Sequence, residues 1–470
     1  MSDKNESYDR KLSYDLVIAG GGTSGVVAAI AAGRMGMKTL LVERSSNLGG
    51  ELTTGLQINS PRSAVGEWLI GGITTELINK CKEMDSFTKC IWDWRLNWGY
   101  MVDPELLKIV IMDSIQQAKV SVLVNTMIYD VLTERGILEA LIATDGTNKY
   151  LIEAKQFIDA TGDALVAAKA GVPYVHNKYN GNGEVQPVTM IFRMNNINMQ
   201  KLLEFIKNNP EDIICGESPI INKSRAECVF EIYKQGYPTG GLDARGSILS
   251  SAIKSGEMYP TMAVYWMPVA LKRNEIALNT TRVADIDSTI SEQLSLKLPE
   301  LFNQINTCAK FLNNRIPGFE KATICNISHK IGIRENRRII GKYILTKDDV
   351  LSKRKFEDVI ARCGHHIDIH GSGTTQVRIP IPEGGACDIP FRCLIPKDIE
   401  NLLVVGRSIS SDREANGTLR QMSTCMMMGQ AAAVASALSI KYDTTPRAIP
   451  FESVKNELEK QGFYDVSKNE

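Results

Sequence analysis

Proton transfer near neutral pH and recognition of an acidic ligand call for imidazoles and guanidinium forks, so histidine and arginine clusters are the first residues to place. Histidine is scarce: the 470 residues hold five, and three of these fall in HHIDIHG at 365–371. If that stretch is a strand, His366, Asp368 and His370 project to one face, because side chains alternate with period two. His370 precedes Gly371-Ser372-Gly373, a turn that lets backbone approach a ligand. His370 is therefore the first candidate for proton transfer and His366 the second. The alternative is a histidine fixed by Asp368 in a structural network. In KIGIRENRRIIGKYILT (330–346) the spacing predicts a helix start on which Arg334 shares a face with Arg337 or Arg338, at i, i+3 or i+4. An arginine fork matches a carboxylate bidentately, while its high pKa makes ordinary base chemistry difficult. Arg334 and Arg337 are the catalytic candidates there, against the alternative that they pair with nearby acids or tie two lobes together. Arg282, in LNTTRV, and Arg378, in TTQVRIP, are further candidates at strand ends.

These side chains need a scaffold, and its clearest trace is DLVIAGGGTSGVVAAIAA at 15–32, an apolar run that meets glycines and becomes a small-residue helix pattern. Strand, tight turn and helix succeed one another in that order. Gly20, Gly22 and Gly25 form GxGxxG: Gly20 permits the turn, Gly22 lets a pyrophosphate approach the backbone, and Gly25 lets helix pack on strand. Phosphates would rest on the helix amino-terminus at Thr23 and Ser24, where unpaired N–H groups and the helix dipole favour an anion. The next strand pattern, KTLLVE at 38–43, ends in Glu43, 18 residues beyond Gly25, where an acid binds ribose hydroxyls. Its carboxylate, next to Arg44, disfavours a 2′-phosphate, which points to FAD or NAD rather than NADP.

Flavin is separated from nicotinamide by resemblance. Gly49 and Gly50, in ERSSNLGGELTTG, resemble the second glycine pair that extends the phosphate cradle in flavoproteins of the glutathione-reductase type. KQFIDATGD at 155–163, with Ala160, Thr161 and Gly162, looks like the strand and ATG(D) signature by which such proteins return to the dinucleotide domain. NLLVVGRSISSDREANGTLRQMSTCMMMGQAAAVASAL (401–438), with Gly406, Arg407, Asn416 and Thr424, resembles the closing flavin-binding segment of proteins related to the fumarate-reductase flavoprotein. More narrowly, the early GGGxxG, IRENRRIIG, DIHG and IPFRCLIP are similar to a large bacterial group of FAD-dependent oxidoreductases, over nearly the whole length. The resemblance implies an α/β fold: a Rossmann-like FAD domain of the glutathione-reductase type with an inserted α+β substrate or cap domain. It implies those residues as the FAD site and says far more about cofactor than about substrate. Fumarate-reductase-like proteins use an arginine as proton donor, but the motifs do not say which arginine of this chain would correspond.

Physical pattern supports the closing segment independently. LLVV at 402–405 is a buried-strand run that Gly406 ends, 409–423 is loop-like, and Thr424 to Leu438 reads as a helix too small-sided for a surface. It suits close packing against a cofactor. Thr424 is placed to cap it, with the helix amino-terminus near the flavin edge that gathers negative charge on reduction. Cys425, at its entry, reads as apolar wall rather than redox thiol. Segments 11–175 and 386–440 are expected to form the FAD domain, 176–385 a substrate lobe with a mixed sheet, and 441–470 a short helix with a loose tail. Within the lobe, 258–266 and 275–283 read as strands, and 285–313 and 329–351 as helices.

Composition bounds the rest. At 470 residues the chain exceeds the roughly 100–150 of one domain, and 43% hydrophobic with 23% charged residues is ordinary globular composition. Lys plus Arg (54) equals Asp plus Glu (54), so no global field draws the protein to nucleic acid or a membrane. No run of about 18 apolar residues and no apolar leader core stand in the sequence, which reads as cytoplasmic. Ten cysteines include no CxxC pair, so no metal site is expected and most thiols read as buried hydrophobes. The early glycine region continues as Glu51-Leu52-Thr53, without the histidine that carries covalent FAD in succinate-dehydrogenase flavoproteins, so FAD is expected to be non-covalent. A second GxGxxG for NAD(P)H is missing; electrons are expected from the substrate or from a protein or small carrier. The expected activity is hydride transfer between flavin N5 and a small polar metabolite, carboxylate-bearing or hydroxylated, with direction and oligomeric state open. The alternatives are a flavin-dependent tRNA-modifying or other biosynthetic enzyme, and a non-catalytic FAD-binding protein.

Overall fold

The computed structural model describes residues 7–84, 87–180, 183–216 and 218–469. The chain opens with β1 (Arg10–Ala19), α1 (Thr23–Arg34) and β2 (Thr39–Val42). Alternation along β1 sorts its apolar residues between two cores. Leu16 and Ile18 pack with α1 on one face of the sheet, Val17 and Ala19 into a second cluster on the other. β3 (Lys149–Asp159) lies parallel to β1 along its whole length, and β2 continues the parallel order outward to Ser121–Leu123.

The far edge of β3 is shared. Its first residues, Lys149–Glu153, pair antiparallel with Ala140–Thr144, while Phe157–Asp159 pair parallel with β4 (Leu402–Val404), which arrives from the other end of the chain. The register brings Leu123, Val42, Ala19, Asp159 and Val404 to one level, so the parallel strands end together. Ligands of open α/β sheets bind outside those carboxyl ends. The mixed α/β fold with a Rossmann-like parallel sheet is thus as the sequence predicts.

After β4 comes α2 (Met422–Lys441), buried from Met422 to Ser439. It is long and apolar enough to cross a membrane, yet nearly all of it lies inside the protein. Its small residues meet α1 rather than a cofactor: a Cβ at Gly429 would lie 2.2 Å from the Ser24 carbonyl oxygen. Only its first turn faces the cleft at the carboxyl edge of the sheet. Thr424 does not cap it; Gln421 holds the cap position and makes no side-chain cap bond. The residues expected to end in a loose tail are tied down, with Asn469 donating to the Ile70 carbonyl at 2.7 Å and accepting from Thr75 at 2.7 Å.

The middle of the chain builds a second sheet in the order Gly240–Asp243, Ala263–Ala270, Glu275–Asn279, Phe192–Asn195, Thr323–Ile327. Every pairing in it is antiparallel, not mixed as the sequence suggests. The short link Leu271–Asn274 enforces one such pairing, since parallel neighbours need a long crossover. With helix Ser291–Arg315 this sheet encloses a separate core running from Val188 to Ala322. Residues from Leu345 to Ile395 pack instead into the core around α1 and α2. Between the two layers Arg193 bonds Glu275 at 2.6 Å and Glu105 at 2.5 Å.

The helix expected over 329–351 does not form; only Lys347–Leu351 is helical. Gly332 pairs with Thr189 in an antiparallel bridge, and Arg338–Ile339 pair with Tyr174–Val175. Between them the polar side chains bond far along the sequence: Arg334 to the Pro187 carbonyl at 2.7 Å, Glu335 to the Gln186 amide at 2.8 Å, Asn336 to Asp163 at 2.8 Å. Such remote partners outweigh local helix preference.

Candidate active site

At the carboxyl edge of the parallel sheet the glycines do the separate jobs their spacing implies. Gly20 has φ +100°, and a Cβ there would lie 2.7 Å from the Ala160 carbonyl oxygen; a Cβ on Gly25 would lie 1.9 Å from the Gly20 oxygen. Gly22 faces open space, with nothing within 4 Å of an added Cβ. Helix α1 starts at Gly22 without a side-chain cap, which leaves the N–H groups of its first turn directed into the cleft. Gly49 donates to the Gly21 carbonyl at 2.8 Å, and Gly50 approaches so closely that its Cβ would be 3.0 Å from Gly22 Cα. Glu43 knits the same loop, accepting from the Gly21 amide at 2.7 Å and the Ser45 amide at 2.9 Å.

The cleft continues along Ala160, Thr161 and Gly162 to Gly406 and Arg407, and ends at Met422 and Cys425 on the first turn of α2. Asp159 shapes the 160–162 loop, taking bonds from the Thr161 hydroxyl at 2.6 Å and the Ala167 amide at 3.0 Å. Arg407 donates to the Ile333 carbonyl at 2.7 Å and pairs with Asp163. Burial disfavours the charge on Asp163, but the Arg407 guanidinium outweighs it and holds the carboxyl below its ordinary range. Two uncapped helix starts, a bare Gly22 and a glycine-lined floor fit a dinucleotide with a ring system at one end. Cys425 forms wall: burial pushes its thiol up to about 12.

Beyond this cleft lies an inner chamber, and the two share Leu56, Asn59, Asn279, His365, Asp368 and His370. Strand Ile367–His370 pairs with Gln376–Ile379, and Asp368 and His370 do lie on one face: Nε2 of His370 stands 2.9 Å from Asp368. Arg282 donates from Nη2 to Nδ1 of the same ring at 3.0 Å. A guanidinium is always a donor, so Nδ1 carries the lone pair and Nε2 the proton given to Asp368. Burial favours the same neutral ring, holding His370 well below its usual value. His366, also buried, stacks on His365 with ring centres 4.0 Å apart.

Around these groups stand Arg95, Arg282, Arg334, Arg378 and Arg420, against the carboxylates of Asp93 and Asp368. Arg95 is paired with Asp93 at 2.5 Å, and Arg420 donates to the Asp368 carbonyl at 3.1 Å. Burial and the neighbouring Arg420 and Arg282 push Arg334 down to about 9, which leaves it a cation at neutral pH. Among the described residues the chamber and its rim carry an excess of positive charge.

Of the residues singled out from sequence, the fold brings Gly22, Thr23, Ser24, Gly50, Ala160, Thr161, Gly162, Gly406, Arg407, Arg334 and His370 to this one cleft. Gly20, Gly25, Glu43 and Gly49 lie behind it as framework. Arg44 is exposed, and Asn416 is buried with its amide given to the Arg407 carbonyl at 2.7 Å. Arg337 does not share a face with Arg334; it donates to the Asp163 carbonyl at 3.3 Å and lies over the Tyr174 ring. Sequence reading passes over Asn59, Glu51, Lys330, Arg420 and His365. Of these, His365 stands in a motif already marked, and the period-two argument assigns it to the wrong face.

Residues 15–458 match the family described as FAD dependent oxidoreductase. A 44-residue stretch is 50% identical to mitochondrial dihydrolipoyl dehydrogenase of Caenorhabditis elegans, covering 9% of this chain and 9% of that protein. Among solved structures, a geranylgeranyl bacteriochlorophyll reductase-like protein from Thermoplasma acidophilum is 14% identical, with TM-score 0.47 over 98% of this chain and 87% of that one. GidA of Aquifex aeolicus is 12% identical, with TM-score 0.47 over 92% of this chain and 64% of that one.

Proposed function

Since the chain belongs to the FAD dependent oxidoreductase family, and is an oxidoreductase with FAD as cofactor, we propose that its substrate is a small, carboxylate-bearing metabolite exchanging hydride with the flavin. The observation that carries this reading is the junction of the cleft with the inner chamber: Arg334 and Arg420 line the cleft, Arg95 and Arg378 the chamber, and Arg282 bonds His370, which borders both, against the two carboxylates of Asp93 and Asp368. A cluster of guanidiniums in excess of its carboxylates favours an anionic occupant by electrostatics and by bidentate recognition. Arg334 is the best placed to receive it, because among the described residues its one hydrogen-bond partner is the Pro187 carbonyl.

FAD when bound supplies a two-electron acceptor or donor at N5. Gly22, Thr23, Ser24 and Gly50 would hold its pyrophosphate, the 160–162 and 406–407 loops would flank it, and the uncapped start of α2 would face the electron-rich edge of the ring. The glutathione-reductase type of FAD domain, as residues 11–175 with 386–440, is supported by β4 completing the sheet beside β3. Of the 176–385 segment, the part with its own core, 188–322, would serve as the substrate lobe, since 345–385 pack with the FAD domain. The cleft's neutral Glu51–Lys330 pair, at 3.1 Å, adds no charge to the chamber.

The purified protein tests the reading. Its visible spectrum is recorded, dithionite and then air are admitted, and a panel of hydroxy, amino and saturated carboxylic acids is screened for anaerobic bleaching of the oxidised flavin, with unsaturated and keto acids screened for anaerobic return of colour to the reduced flavin. Bleaching or recolouring by an acid and not by its methyl ester supports the proposal. A response to neutral compounds alone, or to none of the panel, overturns it.

A further inference from the structure

Resting on the proposed carboxylate substrate, we infer that His365, not His370, is the residue that exchanges the substrate's proton. His370 has neither ring nitrogen to spare, because Arg282 fills Nδ1 and Asp368 takes the Nε2 proton. Asp368 is occupied too, by His370 and by the Gln376 amide. His365 differs. Its Nδ1 lies 2.8 Å from the carbonyl oxygen of His366, which can only accept, so Nδ1 carries the proton and Nε2 the lone pair. Among the described residues Nε2 has no protein partner, while the imidazole lines both the flavin cleft and the inner chamber. His366 lines the chamber alone.

The ring is held for this task. Gly364 N–H donates to Ser60 Oγ at 2.9 Å, and a Cβ on Gly364 would lie 2.5 Å from Ser63 Cα, so the backbone entering His365 is clamped against the 60–63 turn. In the oxidising direction the O–H or N–H bond of the substrate breaks and its proton passes to Nε2, giving an imidazolium. The electron pair left on that heteroatom forms the new double bond to carbon as the carbon's hydrogen leaves with its pair for the FAD, so substrate loses and cofactor gains two electrons. In the reducing direction Nε2 returns the proton.

The test uses holoenzyme labelled with 15N-histidine, the His365 ring being assigned by its absence in His365→Asn. At pH 7 the expected spectrum is a neutral ring with protonated Nδ1 and bare Nε2; a protonated Nε2 overturns the inference. With the acid found in the screen, His365→Asn is expected to retain FAD, and its flavin to bleach or recolour ~10²–10⁴-fold more slowly, as loss of a general acid or base implies. In His365→Ala, added imidazole should restore part of the rate. Wild-type rates in His365→Asn overturn the inference. A screen without any responding acid sinks the substrate reading instead, and the tautomer measurement still decides the state of Nε2.

Discussion

Arg282 donates to Nδ1 of His370 at 3.0 Å, and this bond decides what the ring can do. The same guanidinium also reaches the carbonyl oxygens of Gly373 at 3.0 Å and Thr375 at 3.1 Å, so it closes the turn of the hairpin that carries His370. Replacing Arg282 with Met removes a cation and frees the lone pair. His370 should then titrate at higher pH than in the parent, read from its ring resonances in the holoenzyme. Loss of charge-assisted bonds should also cost about 1.5–3 kcal/mol of stability in denaturant melts. An unchanged His370 titration would refute the tautomer assignment.

Two glycine substitutions three residues apart should fail in different ways. Gly22→Val adds atoms where the protein has none within 4 Å, so the fold should stand and FAD content should fall to near zero. Gly25→Ala drives a Cβ to 1.9 Å from the Gly20 carbonyl and should lower stability by about 1–3 kcal/mol or more, even before cofactor is considered. The measurements are flavin absorbance per chain and urea melts. Equal flavin loss with equal destabilisation in both would contradict the distinct roles.

For Arg334→Met, the expectation is weaker binding of the acid substrate by ~10–100-fold, the equivalent of about 1.5–3 kcal/mol for a charge-assisted bond. FAD content should be unaffected, because Arg334, although it lines the cleft, bonds the Pro187 carbonyl rather than the glycine loops. Steady-state KM and the flavin-per-chain ratio separate the two effects. A fall in FAD content with unchanged KM would move Arg334 from substrate to cofactor.

Stability should also depend on pH with a definite sign. Burial holds His365 down to about 4 and keeps His366 and His370 well below the ordinary value of 6.5. On acidification the unfolded chain binds protons near pH 6.5 while the folded rings remain neutral, so the unfolded state gains. The stabilisation is complete above pH 6.5 and is lost as pH falls through the folded values. For His365 alone the loss should be about 3 kcal/mol between pH 6.5 and 4, on the scale of 1.36 kcal/mol per pKa unit. Urea melts across that window check it, and His365→Asn should flatten part of the slope.

The dinucleotide cradle is legible in the sequence because its determinants are local. A strand, three glycines and a helix lie within residues 15–32, and each glycine's role comes from backbone sterics over a few bonds. The closing strand and helix are legible for the same reason, and their meeting with β3 is implied once the two ends are taken as one domain. Arg334 is misplaced on a helix by its spacing because its partner, the Pro187 carbonyl, lies 147 residues away. His365 escapes sequence reading because its role depends on a one-residue offset from the strand and on a bond to the next carbonyl, which alternation alone does not reveal. The chain's spacing thus set the sheet and the phosphate loop, whereas the protonation states of its histidines were fixed by Arg282, His366 and Asp368 meeting in three dimensions. Hydrogen bonds and burial of that kind act over ångströms, whatever the distance along the chain.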